Sequence, residues 1–415
     1  MDVASTGTGI TLGRYLHTEP HEVVDNIQIA GIRIRRTNFT AAGITIMGRS
    51  SNVTIDDNTA VGDGGGVYAE SSDLRLTDCT IANNVADNGG GLAMHDTSVR
   101  FDNGQVSDNG ANSRGGGVWF GDDSGFATIE SYFTLFSGNG AVDQGGGAYL
   151  RDGDISLLAT DFVGNTAAGS GAGIVGRSNQ AFSMDIAFLG GNVAGSRAGG
   201  LLLDNTTATV LNDLTFSGNE AADGGGLAVV SSAVETPIVG TFSDNAATGD
   251  GGAALVENSN TTFAGCTFEG NEGPSAGLRV EASVGGFSVL VTDSSFTSNV
   301  GMAVSTSRVP ATVTQSTFVQ NEGTGLSAWL AAVDVSDSTF SSNSTGVRVS
   351  SGGTSVIRRS RFDSNNLGSS SGAGVYAANT TLDLLSSHFI GNSAADHGGA
   401  VLLSGVGADR ILDCT

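Results

Sequence analysis

The sequence has 415 residues, of which 64 are glycine and only 4 proline, with 14% charged and 6% aromatic. At a mean hydropathy of +0.05 it is too apolar for a disordered tail, and it is too poor in large side chains for layered α/β domains and in proline for collagen. The net charge of −24, with no lysine and all 18 basic residues arginine, argues against nucleic-acid or anionic-membrane partners, because phosphate contacts need clustered cations. In chain order, residues 1–25 match nothing that follows and are expected to form a cap or the remnant of a preceding segment. They show no basic stretch followed by an apolar core, so no secretory signal is visible. No run of about 18 apolar residues occurs anywhere, so no transmembrane helix is expected. Asn26 to Ile34 reads as a first coil, and 26–415 as one repeating domain.

From there the chain is periodic, and the period decides the fold. Asparagines recur at Asn58, Asn84, Asn109, Asn139, Asn165, Asn192, Asn219, Asn245, Asn271, Asn299, Asn321, Asn343, Asn365 and Asn392, at spacings of 22 to 30. Three residues before each stands a large apolar side chain: Ile55, Ile81, Val106, Phe136, Phe162, Leu189, Phe216, Phe242, Phe268, Phe296, Phe318, Phe340, Phe362 and Phe389. Most units continue into a glycine step such as Gly64-Gly65-Gly66 or Gly115-Gly116-Gly117, then an apolar-x-apolar strand such as Val67-Tyr68-Ala69. A second strand of period two leads back to the next large side chain, as Leu74, Leu76, Cys79 and Ile81 do. Segments this short, joined by Gly, Asn, Asp and Ser, leave no room for helices. One unit cannot bury its own apolar face, so copies must stack.

The predicted fold is therefore all-β: a single-stranded parallel β-helix (solenoid) of about 14 coils, right-handed by the crossover rule. The aromatic column becomes an internal stack, and the fourteen asparagines an amide ladder that bonds itself and the turn backbone. Two residues before the aromatic column stand Ser294, Ser316, Ser338, Ser360 and Ser387, and elsewhere Cys79, Cys266 and Cys414. The shared position makes the cysteines inward-facing fillers rather than a disulfide framework or metal site. Spacings of 22 from Asn299 to Asn365 predict a narrower cross-section, and Gly121 to Gly125 a protruding loop. At the other end, Leu412-Asp413-Cys414-Thr415 restarts the pattern of Leu76 to Thr80, which predicts that the β-helix continues beyond residue 415 in a longer protein.

Units such as Phe216-Ser217-Gly218-Asn219 with Gly224-Gly225-Gly226-Leu227, and Phe389-Ile390-Gly391-Asn392 with Gly398-Gly399-Ala400-Val401, resemble the repeats of the polymorphic outer-membrane protein family over roughly residues 50–415. That resemblance implies a secreted or cell-surface passenger, often adhesive.

Parallel β-helices also include pectate-lyase-like and polygalacturonase-like enzymes, so catalysis has to be weighed. A lyase of that kind needs Ca²⁺-binding carboxylates beside a strong base. No lysine can serve, and Arg358, Arg359 and Arg361 have no acid trio in their own unit. A hydrolase needs two carboxylates about 5 to 9.5 Å apart, and Asp56-Asp57 and Asp122-Asp123 qualify by type alone. None of His17, His21, His95, His388 and His397 has metal-ligand spacing. No catalytic residue, metal site or cofactor is assigned, although the excess of aspartate admits weak Ca²⁺ binding by the turns. The middle residue of the strand after the glycine step should face solvent. It runs Tyr68, Ala93, Trp119, Tyr149, Val175, Leu202, Ala228, Leu255, an apolar stripe suited to sugar rings or a protein surface. Tyr68, Trp119, Tyr149, Leu202 and Leu255 are therefore the expected binding residues. A hydroxyl column, Thr215, Thr241, Thr267, Ser295, Thr317 and Thr339, is one residue wide and reads as sheet support rather than an ice-binding face. The expected function is a non-enzymatic extracellular or cell-surface β-helix, adhesin-like or structural, with a glycan or a neighbouring cell-surface protein as partner. The alternative is a polysaccharide lyase or glycoside hydrolase.

Overall fold

The computed structural model describes residues 55–415 apart from residues 72, 122–126, 367–370 and 406. Before residue 55 it describes the backbone of the strands Ile10–Leu12, Arg33–Ile34, Asn38–Phe39, Ile44–Ile46 and Gly48–Ser51, and of the start of Thr54–Asp56. Most of the proposed cap and first coil, and the loop around Asp122-Asp123, lie outside the described residues. The chain divides into two compact units, residues 1–209 and 210–415. Both are parallel β-helices, and the described residues contain no helix. None is therefore long and apolar enough to cross a membrane.

In the first unit a coil has four strands, for example Val118–Gly121, Thr128–Tyr132, Leu135–Ser137 and Gly140–Ala141. Each pairs in parallel with its equivalents one coil away, as in Leu92↔Val118, Val118↔Ala148 and Ala148↔Ile174. Alternation then sends Val118 and Phe120 inward with Ile129 and Phe136, all of them buried. The coil can turn its corners because particular residues accept the left-handed backbone region. The residue before each ladder asparagine has positive φ, and it is Asp57, Asn83 or Asp108 early in the unit and Gly138, Gly164 or Gly191 later.

The second unit repeats this scheme with a stack of seven phenylalanine pairs. Phe216–Phe242, Phe242–Phe268, Phe268–Phe296 and their successors to Phe362–Phe389 have ring centroids 4.4–5.1 Å apart and planes within 7° of parallel. Beside them the asparagine amides bond from coil to coil at 2.8–3.1 Å, from Asn219→Asn245 through to Asn365→Asn392. In the first unit the same ladder runs from Asn58→Asn84 to Asn165→Asn192 at 2.9–3.0 Å. The serine column is a third ladder, in which Ser316 Oγ accepts the Ser294 N–H and donates to the Thr314 carbonyl. The short corner strand, Ala246–Ala247 in its last full form, continues only as bridges Ala246↔Glu272 and Glu272↔Val300. The 22-residue coils beyond have lost that side of the cross-section. Six-residue strands such as Thr324–Trp329 and Thr345–Ser350 take its place.

Candidate functional site

The apolar stripe is in register but not exposed. Tyr68↔Ala93, Ala93↔Trp119, Trp119↔Tyr149, Tyr149↔Val175 and Val175↔Leu202 pair in the first unit, and Ala228↔Leu255 in the second. Trp119 is only 8% exposed, Tyr149 1%, Leu202 6% and Leu255 2%, and Tyr68 alone is half-buried. The expectation of an open binding face is corrected: Trp119, Tyr149, Leu202 and Leu255 point outward from their strands but are covered, and only Tyr68 stays partly open. Left-handed glycine corners fold over them, so close that a Cβ at Gly145 would lie 2.8 Å from Tyr149 Cβ. The Trp119 ring lies along its own strand across Gly121, and His95 packs on it at 4.3 Å between centroids. Arg114 lies over Tyr149 at 5.2 Å.

The charged groups that a lyase or hydrolase would use are tied to one another. Arg358 pairs with Asp334 at 3.1 Å, Arg359 with Asp337 at 2.7 Å and Arg361 with Asp363 at 2.7 Å. Asp334 and Asp337 come from the preceding coil, which is why one repeat unit read alone showed no acid trio. The hydrogen bond to Asp337 holds the Arg359 guanidinium above its ordinary range and Asp337 below its own. That moves arginine away from the basicity a proton-abstracting group needs at neutral pH. On the first unit Arg75 and Arg100 share Asp102 at 2.8 and 3.0 Å, and Arg100 also reaches Glu130 at 3.3 Å. Turn aspartates form an outer ladder with asparagines of the next coil: Asn83 donates to Asp56 at 2.9 Å, Asn88 to Asp63 at 2.9 Å and Asn103 to Asp78 at 2.6 Å. No group of three or more His, Cys, Asp or Glu among the described residues is arranged to hold a metal. Cys79 and Cys266 are buried and in no disulfide, and burial pushes the Cys266 thiol up to about 12, so Cys266 is an inert filler.

Two arrangements were not found by sequence reasoning. Arg279, on the outward face of the second unit, bonds Glu281 at 2.8 Å and Ser305 at 2.9 Å and lies 3.6 Å from Asp250. Three coils contribute, so no local motif marks it. The other is an exposed apolar column in the first unit, at the corner three residues before the aromatic position. Other coils place Asp78, Asn103, Asp213, Gly265 or Asp293 there, all at positive φ. Three consecutive coils place Phe133, Ala159 and Ile186, at φ of 51°, 49° and 52°. A bulky or β-branched residue in this conformation costs about 1–3 kcal/mol. Phe133 is nonetheless 68% exposed, Ile186 52% and nearby Phe188 39%. The signal was present: a column that elsewhere in the first unit holds Asp78 and Asn103 turns apolar for three consecutive coils.

A family model described as "Right handed beta helix region" matches residues 3–134 and 130–332. No curated protein matches the chain.

Proposed function

The chain belongs to the right handed beta helix family, and on that premise we propose that it is a non-enzymatic β-helix of the cell surface or extracellular space, adhesive or structural in role. The observation that carries this reading is the neutralisation of the arginine cluster Arg358, Arg359 and Arg361 by Asp334, Asp337 and Asp363, in a chain with no lysine. The repeating residues go into internal ladders rather than into a cleft. The paired Phe-x-x-Asn and Gly-Gly steps support kinship with the polymorphic outer-membrane repeat proteins, and a glycan or a neighbouring surface protein as ligand. Weak Ca²⁺ binding by turn carboxylates belongs to the same proposal. It requires a melting midpoint that rises with added calcium, and an unshifted midpoint removes the ion.

The polysaccharide-enzyme reading keeps one point of support, the two carboxylates held around Arg279. Lyase and reducing-sugar assays on anionic and neutral polysaccharides separate the two readings. No turnover above buffer is expected. Turnover that disappears in Glu281→Gln would overturn the non-enzymatic reading and place the chemistry at Arg279.

A further inference from the structure

We infer that the apolar corner of the first unit, Phe133 and Ile186 with Leu135 and Phe188, docks a basic, apolar segment of another protein. This rests on the non-enzymatic reading above and supplies it with a surface. Phe133 and Ile186 occupy the same corner two coils apart, with Ala159 between them. Leu135, Asp161 and Phe188 form the adjacent strand column, through Leu135↔Asp161 and the Phe162↔Leu189 register. Phe188 can lie flat because residue 190 is glycine, where a Cβ would come within 2.3 Å of the ring. Phe133, Leu135, Ala159, Asp161 and Ile186 line a shallow hollow of about 350 Å³. A second hollow of about 360 Å³ begins on the other side of Phe133, lined by Asp78 and Gln105 among others.

Exposed apolar side chains grouped like this on a soluble surface mark an interface, and here they sit where the backbone favours Asn, Asp or Gly. Local sequence that contradicts local conformation is expected at functional positions. Charge identifies the occupant. Asp161 accepts only the Phe188 N–H at 2.9 Å and Asp78 only the Asn103 amide at 2.6 Å, so among the described residues no cation neutralises either. The arginines of neighbouring coils, Arg75 and Arg100, are committed to Asp102 and Glu130. A partner with apolar side chains for the hollow and arginine or lysine for Asp161 and Asp78 fits both features. A second copy of this chain, at −24, meets like charge.

The test is a titration of the full chain with two synthetic peptides of equal positive charge, one alternating Leu and Arg, the other Ser and Arg. The Leu/Arg peptide is expected to bind at least about tenfold more tightly, roughly what burying two or three side-chain contacts provides. In the double variant Phe133→Asn, Ile186→Asn that preference should vanish, although its net charge is unchanged. Its melting midpoint should rise, by roughly 2–4 °C per substitution for a unit of this size. Phe188→Ser, at an ordinary strand position, gives a second variant that should lose the preference without the rise. Equal affinity of the two peptides for the parent chain, or a preference that survives in the variants, overturns the docking site. Concentration-dependent dimerisation abolished by the double variant replaces the basic partner with a second copy. None of these outcomes bears on polysaccharide turnover, which tests the functional reading separately.

Discussion

Replacing Asn271 by alanine is expected to destabilise the second unit by about 3–6 kcal/mol, more than any surface substitution can. The Asn271 Oδ1 accepts from both the backbone N–H and the side-chain amide of Asn245 at 3.0 Å, and its Nδ2 donates at 2.9 Å to Asn299 Oδ1 and the Phe242 carbonyl. The site is fully buried. Truncation removes four buried hydrogen bonds at about 0.5–1.5 kcal/mol each and leaves the Asn245 backbone N–H without its acceptor, although Asn299 Oδ1 keeps the residue-271 N–H and the Asn245 amide keeps the Phe216 carbonyl. Because a solenoid is stabilised by nearest neighbours, the damage should also split the transition. Urea unfolding followed by hydrogen exchange should show coils on either side of residue 271 opening before the rest. The exposed Thr317→Ala control should stay within about 0.5 kcal/mol. A loss below about 1 kcal/mol at Asn271 would mean the amide ladder is ornament rather than support.

Gly116→Ala should be comparably severe and Gly110→Ala nearly silent. A Cβ on Gly116 would sit 2.4 Å from the carbonyl oxygens of both Gly140 and Gly146. Neither oxygen belongs to a backbone that can retreat, since the Gly146 carbonyl accepts from Gly117 N–H at 3.0 Å and Gly140 N–H donates to Asn109 at 2.8 Å. The clash belongs with the rare substitutions costing more than about 4–5 kcal/mol, and is best read as loss of soluble, protease-resistant first unit. At Gly110 the nearest atom to a Cβ is Val85 Cγ2 at 3.8 Å, and the backbone is not left-handed. Alanine there should cost nothing, or gain about 0.4–1 kcal/mol by restricting the unfolded chain. If both variants behave alike, the glycine step is not set by coil-to-coil crowding.

The ladders were legible because every coil writes them again: one residue type recurring at one phase can only be a column. The corner glycines and aspartates were legible for the same reason, as residues that tolerate positive φ. The stripe was misjudged because alternation gives the direction of a side chain and not its depth. Tyr149 does leave its strand on the outer side, yet neighbouring coils lie one strand spacing away, so Arg114 and the glycine corner close over it. Pairings between coils were equally hidden. Arg359 and Asp337 are 22 residues apart in sequence and become neighbours only through the register. Phe133 was readable in principle, but as a break in a column rather than a repetition.

The asparagine ladder has a further consequence, for the chemical ageing of the chain. Asn109 and Asn139 each precede a glycine, the pairing most prone in flexible peptides to close into a succinimide and lose its amide. Closure requires the nitrogen of the following residue to swing onto the side-chain carbonyl. Here Gly110 N–H is held by the Asn84 carbonyl and Gly140 N–H by the Asn109 carbonyl, both at 2.8 Å, while each amide is clasped by the next coil. The bonds that keep the coils in register therefore also protect the Asn109 and Asn139 amides from ageing, and the first unit should keep both amides through long incubation.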